Sequence, residues 1–110
     1  MRAEWTDRQT QRWQEFIEHA IDFLEDVCDM RHPVRVWRVR YAQQYGATQW
    51  DGQQFIVKIA NRLSHCDAVW TLIHELAHVA SWDDDDTETG HGVVWGMAEA
   101  AMIRLYEDWE

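Results

Sequence analysis

The sequence predicts an α+β fold: a helix, three short strands, then two further helices. Three observations carry that expectation. Over residues 13–28 apolar side chains recur every three or four positions; over 34–60 the period falls to two and β-branched and aromatic residues dominate; beyond 64 the helical period returns. The 110 residues read as one domain, 1–110, with a single core. A composition 46% hydrophobic with eight tryptophans belongs to a folded globule rather than to a disordered chain.

The N-terminal helix opens at a capping box, Thr6 with Gln9. Behind it Trp13, Phe16, Ile17, Ala20, Ile21, Leu24, Val27 and Cys28 form one apolar stripe, about five or six turns long, that must stop before Pro33. His19 falls on the polar side as an ordinary surface residue.

Val34 to Tyr41 has the composition of a strand. Trp50-Asp51-Gly52-Gln53 is a tight-turn signal, so residues 47–50 and 54–60 are expected to form a hairpin. Within the second of these, Phe55, Val57 and Ile59 alternate with Ile56, Lys58 and Ala60. The three strands are expected to run antiparallel.

Ser64 with Asp67 resembles a second capping box and opens a helix expected to end near Trp82. Between Ala68 and Ala80 this segment is polar only at Thr71 and at the run His74-Glu75-Leu76-Ala77-His78. A helix that is apolar all round is buried, so these polar groups need a common partner. Positions i and i+4 share a helix face, which lets His74 and His78 present two imidazoles to one metal ion. Glu75, one step round, is placed to take a proton from a water on that metal. With a third ligand and one open position for water, the pattern is the signature of a zinc-dependent peptidase. The competing structural reading is two core histidines satisfied by backbone groups and a glutamate in a salt bridge.

Asp83 to Gly90 is a loop by composition, read as solvated and acidic; the glycine and terminal glutamate of an EF-hand calcium loop are not in place. His91 to Trp109 is expected to be helical. At about 100° per residue His91, Trp95, Ala98, Met102, Leu105 and Trp109 share one stripe, so His91 should begin the inward face of that helix. With Gly90 and Gly92 beside it, His91 is the leading third ligand. Asp84, six residues after His78, and Glu99, near the edge of the stripe, are the alternatives; Glu99 could equally be an acceptor that orients an imidazole.

The net charge of −10 is uneven. Arg31, Arg35, Arg38, Arg40, Lys58 and Arg62 stand against Asp51 alone in residues 31–62, while both flanks are acidic. The acidic whole disfavours non-specific nucleic-acid binding, and the central arginines are read as the solvated or salt-bridging face of a sheet. No apolar run reaches the roughly 18–20 residues of a membrane span, and Met1-Arg2-Ala3-Glu4-Trp5 lacks the apolar core of a signal peptide. A cytoplasmic location is the expectation. Cys28 and Cys66 have no zinc-ribbon spacing and are read as small, partly buried thiols rather than as a disulfide or extra ligands.

His74-Glu75-Leu76-Ala77-His78, followed after a short loop by His91-Gly92-Val93-Val94-Trp95, resembles the SprT-like and Spartan-type metallopeptidases. Their pattern is HExxH, a variable loop, then HG, two residues and an aromatic. Phe55 to Asn61 is also similar to the strand these proteins place before the active-site helix. The resemblance covers roughly residues 34–100. It implies a minimal zincin fold: a small mixed sheet packed against helices, with Zn2+ held by His74, His78 and His91 and with Glu75 as general base. The chain departs from the family in having neither a cysteine-rich zinc ribbon after this core nor a basic extension. DNA-linked proteolysis is therefore not expected.

Peptide-bond hydrolysis in a protein or peptide substrate is the leading functional expectation. An extended substrate would add to an edge strand, expected at 54–60, and Tyr41, Tyr45 and Tyr106 are candidate donors to the oxyanion. Two other readings stay open. One is a structural zinc in a non-catalytic interaction module. The other is single-stranded nucleic-acid binding by the basic 31–62 region with Trp37, Tyr41, Tyr45 and Trp50.

Overall fold

The computed structural model describes residues 2–83 and 91–110. The Thr6 hydroxyl accepts from Gln9 N and the Gln9 side chain accepts from Thr6 N, so the capping box closes and α1 runs Asp7–Asp26. Trp13, Phe16, Ala20 and Leu24 bury its inward stripe. The helix ends before Val27 and Cys28, which are exposed rather than part of that stripe.

Three strands follow: β1 (Val34–Val39), β2 (Gly46–Trp50) and β3 (Phe55–Ala60). The expected hairpin forms, with Trp50 opposite Phe55 and Gly46 opposite Ile59. Its turn is fixed by Asp51, whose Oδ1 accepts from Gln53 N (2.8 Å) and Gln54 N (2.9 Å), and by Gly52 at φ +97°.

The all-antiparallel expectation is corrected. The sheet order is β1-β3-β2 and β1 pairs with β3 in parallel, Val34 opposite Phe55 through Val39 opposite Ala60. The physical reason lies in composition. β3 is the most apolar strand, with Phe55, Val57, Ile59 and Ala60 all buried, and takes the centre; β2, Gly-Ala-Thr-Gln-Trp, is short and half polar and tolerates an edge. Residues 40–45 carry the chain past the end of β3 to that far edge.

α2 (His65–Ala80) starts where Ser64 Oγ accepts from Asp67 N and packs against β2 and β3. Leu72, Ile73, Leu76 and Val79 are buried against α1 and the sheet. α3 (Val93–Trp109) crosses α2 and inserts Met102 into the core, while its Tyr106 and Trp109 rings meet Phe16 of α1 at 4.9 and 5.4 Å. The N-terminal arm is tied across the start of α2: Ala3 N donates to Asn61 O, Trp5 Nε1 donates to Leu63 O, and the Arg38 guanidinium lies 3.5 Å from the Trp5 ring centroid. The architecture is α+β, with helices on one face of a small mixed sheet. Among the described residues no helix is long and apolar enough to cross a membrane.

Candidate metal centre

His74 and His78 lie one turn apart on α2 with ring centroids 5.0 Å apart, on the side facing α3. His91 meets both. Its Nε2 stands 3.2 Å from His74 Nε2 and 3.1 Å from His78 Nε2. Two nitrogens bound at about 2.05 Å to one tetrahedral ion stand about 3.3 Å apart, so both separations fit a shared cation. The donor chemistry agrees. Three imidazole nitrogens turned toward one point cannot be satisfied by shared protons alone, since each neutral ring offers either a lone pair or an N–H there. Among the described residues His74, His78 and His91 are close enough to hold a metal ion.

The route by which His91 arrives differs from the expectation. It does not begin the inward stripe of α3, which starts at Val93; His91 lies in the lead-in and Gly92 is the N-cap, in extended conformation. Packed against His91 is Trp95, in the first turn of the helix. Its ring lies 4.7 Å from the His91 ring, 5.0 Å from His74 and 5.6 Å from His78, and its Nε1 donates to His74 O at 3.4 Å. One tryptophan thus packs against all three imidazoles.

Of the two alternative third ligands, Asp84 and the acidic run that follows it lie outside the described residues. Glu99 stands behind the centre: its Oε2 faces His74 Nδ1 at 3.7 Å. That is longer than a hydrogen bond and lies at the ring nitrogen opposite the one that meets His91, so Glu99 is not among the groups gathered at the shared point.

Glu75 is 7% exposed. One carboxylate oxygen, Oε1, accepts from Thr48 Oγ1 at 2.8 Å, and the same hydroxyl lies 3.2 Å from Glu75 O. The other, Oε2, lies 3.9 Å from His74 Nε2, on the side where the three imidazoles meet. Thr48 therefore anchors the buried carboxylate from the sheet while its second oxygen faces the centre. Sequence reasoning missed Thr48. Its only signal is its alternation with Gly46 and Trp50 on the helix-facing side of β2, which becomes informative once β2 is known to lie against α2.

Gly46 lets β2 approach that closely. A Cβ there would stand 2.8 Å from Thr71 Cγ2, 3.0 Å from Lys58 O and 3.3 Å from Glu75 Cγ. Beside this contact opens a cleft of about 410 Å³, bounded by Tyr45 and Gly46 of the β2 end and by Asp67, Trp70, Thr71, His74 and Glu75 along one face of α2. The strand expected to accept a substrate, 54–60, is corrected as well: β3 has both neighbours in place, and the edge strand beside the cleft is β2.

The three tyrosines separate by position. Tyr45 borders the cleft, Tyr41 packs against the core, and Tyr106 lies among Phe16, Trp70 and Trp109, where burial pushes its phenol above the ordinary range. The aromatics of the basic region do not gather on one face. Trp37, opposite Lys58, projects from the outer side of the sheet, whereas Trp50, opposite Phe55, packs on Phe55 and His32 on the other side. Arg38 and Arg62 are engaged with backbone carbonyls, Arg38 with Asn61 O and Arg62 with Tyr41 O and Gln44 O. Cys28 and Cys66 are free and exposed, not partly buried, because one follows the end of α1 and the other lies on the outer first turn of α2. No family model matches the chain, and no curated protein matches it.

Proposed function

We propose that this chain is a zinc-dependent metallopeptidase of the minimal SprT-like kind, with His74, His78 and His91 as metal ligands and Glu75 as general base. The observation that carries the reading is the joint placement of three imidazole Nε2 atoms and one anchored carboxylate beside an open cleft. A buried glutamate with Oε1 fixed by Thr48 and Oε2 toward the three imidazoles supports a base beside the metal site over a purely structural one.

Zinc held there would acidify a water toward neutrality and polarise a carbonyl. The chain supplies the rest. Glu75 accepts the water proton through Oε2 and returns it to the leaving amine, while Thr48 keeps Oε1 occupied and the carboxylate from rotating away. An extended peptide adds along the edge of β2 that has no strand partner among the described residues, which brings its backbone past Gly46 and over the histidines.

Glu75→Gln tests the assignment against a structural zinc. It keeps the size and the acceptor for Thr48, so zinc content and thermal stability stay near wild type. Cleavage of an unfolded protein falls by about 10²–10⁴-fold. A Glu75→Gln protein as active as wild type would contradict the role given to Glu75.

A further inference from the structure

The cleft beside Glu75 has a chemistry of its own. Its walls are aromatic: Trp70 is 45% exposed and Tyr45 54% exposed, an unusual outlay of ring surface for two residues on facing elements. Both rings are held in place, Trp70 by Tyr106 at 6.1 Å and Tyr45 by the Arg62 guanidinium at 5.1 Å. The floor at Gly46 has no room for a side chain of its own. At the far end stands Asp67, exposed and in no ion pair among the described residues. No lysine or arginine is among the residues bounding the cleft, and the chain carries a net charge of −10.

We propose that this cleft is a side-chain subsite for lysine or arginine in the peptide substrate, immediately beside the scissile bond. The proposal rests on the peptidase reading above and adds the substrate class. Spacing along α2 supports it: at 1.5 Å rise per residue Trp70 lies about 6 Å and Asp67 about 10 Å along the axis from His74. A basic side chain whose backbone sits at the metal centre lays its hydrocarbon stem, about 6 Å long, between the rings and brings its charge to Asp67. The ring faces attract the cation and the carboxylate pairs with it. An acidic side chain meets Asp67, Glu75 and the field of the whole chain. An apolar one gains the rings but leaves Asp67 without a partner. Arg62 does not compete, because it is tied to Tyr41 O and Gln44 O.

The test has two readouts. In the first, zinc-supplemented wild-type protein digests a mixture of peptides from a non-tryptic digest, and cut positions are mapped by mass spectrometry. Lysine and arginine should be enriched about tenfold at one position flanking the cut, and Asp67→Asn should reduce that enrichment to about twofold or less while cutting continues. In the second, zinc-supplemented Glu75→Gln protein is titrated with a fluorescent octapeptide containing one lysine and with its norleucine twin. The lysine peptide should bind about tenfold tighter, and Asp67→Asn should remove the difference. Cutting without basic preference, or preference unmoved by Asp67→Asn, overturns the subsite and leaves the peptidase standing. Lysine-selective binding without cutting supports the subsite and contradicts the peptidase. Neither cutting nor selective binding overturns both.

Discussion

Replacing Thr48 by Val removes one hydroxyl and little else. Valine is nearly isosteric and at least as good a strand former, so neither packing nor β-propensity is at stake. What is lost is the 2.8 Å bond to Glu75 Oε1, made to a side chain that is only 9% exposed. A hydrogen bond to a buried charged group contributes about 1.5–3 kcal/mol, and here the carboxylate oxygen is left without its donor. For 110 residues the unfolding entropy at the midpoint is about 0.23 kcal/mol/K, so the expected fall in Tm is about 6–13 °C. Activity should fall further than stability accounts for. Freed from Thr48, Glu75 samples other rotamers, and a displacement near 1 Å costs on the order of a hundredfold in rate. The assay is thermal unfolding by circular dichroism at fixed pH, with kcat and KM measured well below the melting range. Thr48→Ser, which keeps the hydroxyl, should recover most of both. A Thr48→Val protein that melts with wild type, or a Thr48→Ser protein as impaired as Thr48→Val, would refute the anchoring role.

Two further perturbations follow from the same geometry and its surroundings. Gly46→Ala forces a methyl to within 2.8 Å of Thr71 Cγ2, and overpacking of that kind costs about 1–3 kcal/mol, read as a lower urea midpoint with an unchanged slope. At His65 burial, then the Arg12 guanidinium, hold the imidazole below its usual value of 6.5; Glu110 pulls the other way and Arg38 adds a smaller push in the same direction as Arg12. The unfolded chain then binds that proton more readily than the folded one. Stability from this group is present above about pH 6.5 and is lost as pH falls below it. Urea midpoints at pH 7.5 and 5.5 should therefore differ less in His65→Phe than in wild type; an equal or larger difference would remove His65 from the account.

Local signals in the sequence translated directly into structure. The capping pair at Thr6 and Gln9, the Asp51-Gly52 turn and the i, i+4 histidines each depend on residues within a few positions of one another. Strand order was not legible, because alternation at Phe55, Val57 and Ile59 is the same in a parallel and an antiparallel partner. The apolar character of both faces of β3 was the available hint that it sits in the centre. His91 was reached by a helical phase that it does not have; the packing of Trp95 against three imidazoles belongs to tertiary structure. Thr48 and Gly46 were invisible for the same reason. Each matters only because the β2 edge lies against α2, some 25 residues later in the chain, and nothing in five residues of strand announces that neighbour.

The central claim is that three histidines share one zinc ion. It is tested most directly by elemental analysis of protein purified without added metal or chelator, alongside His91→Ala. The account predicts about one zinc per wild-type chain, and loss of that zinc in His91→Ala with the far-ultraviolet spectrum preserved. A well-folded wild-type protein that carries no metal and takes up none on zinc titration would contradict it.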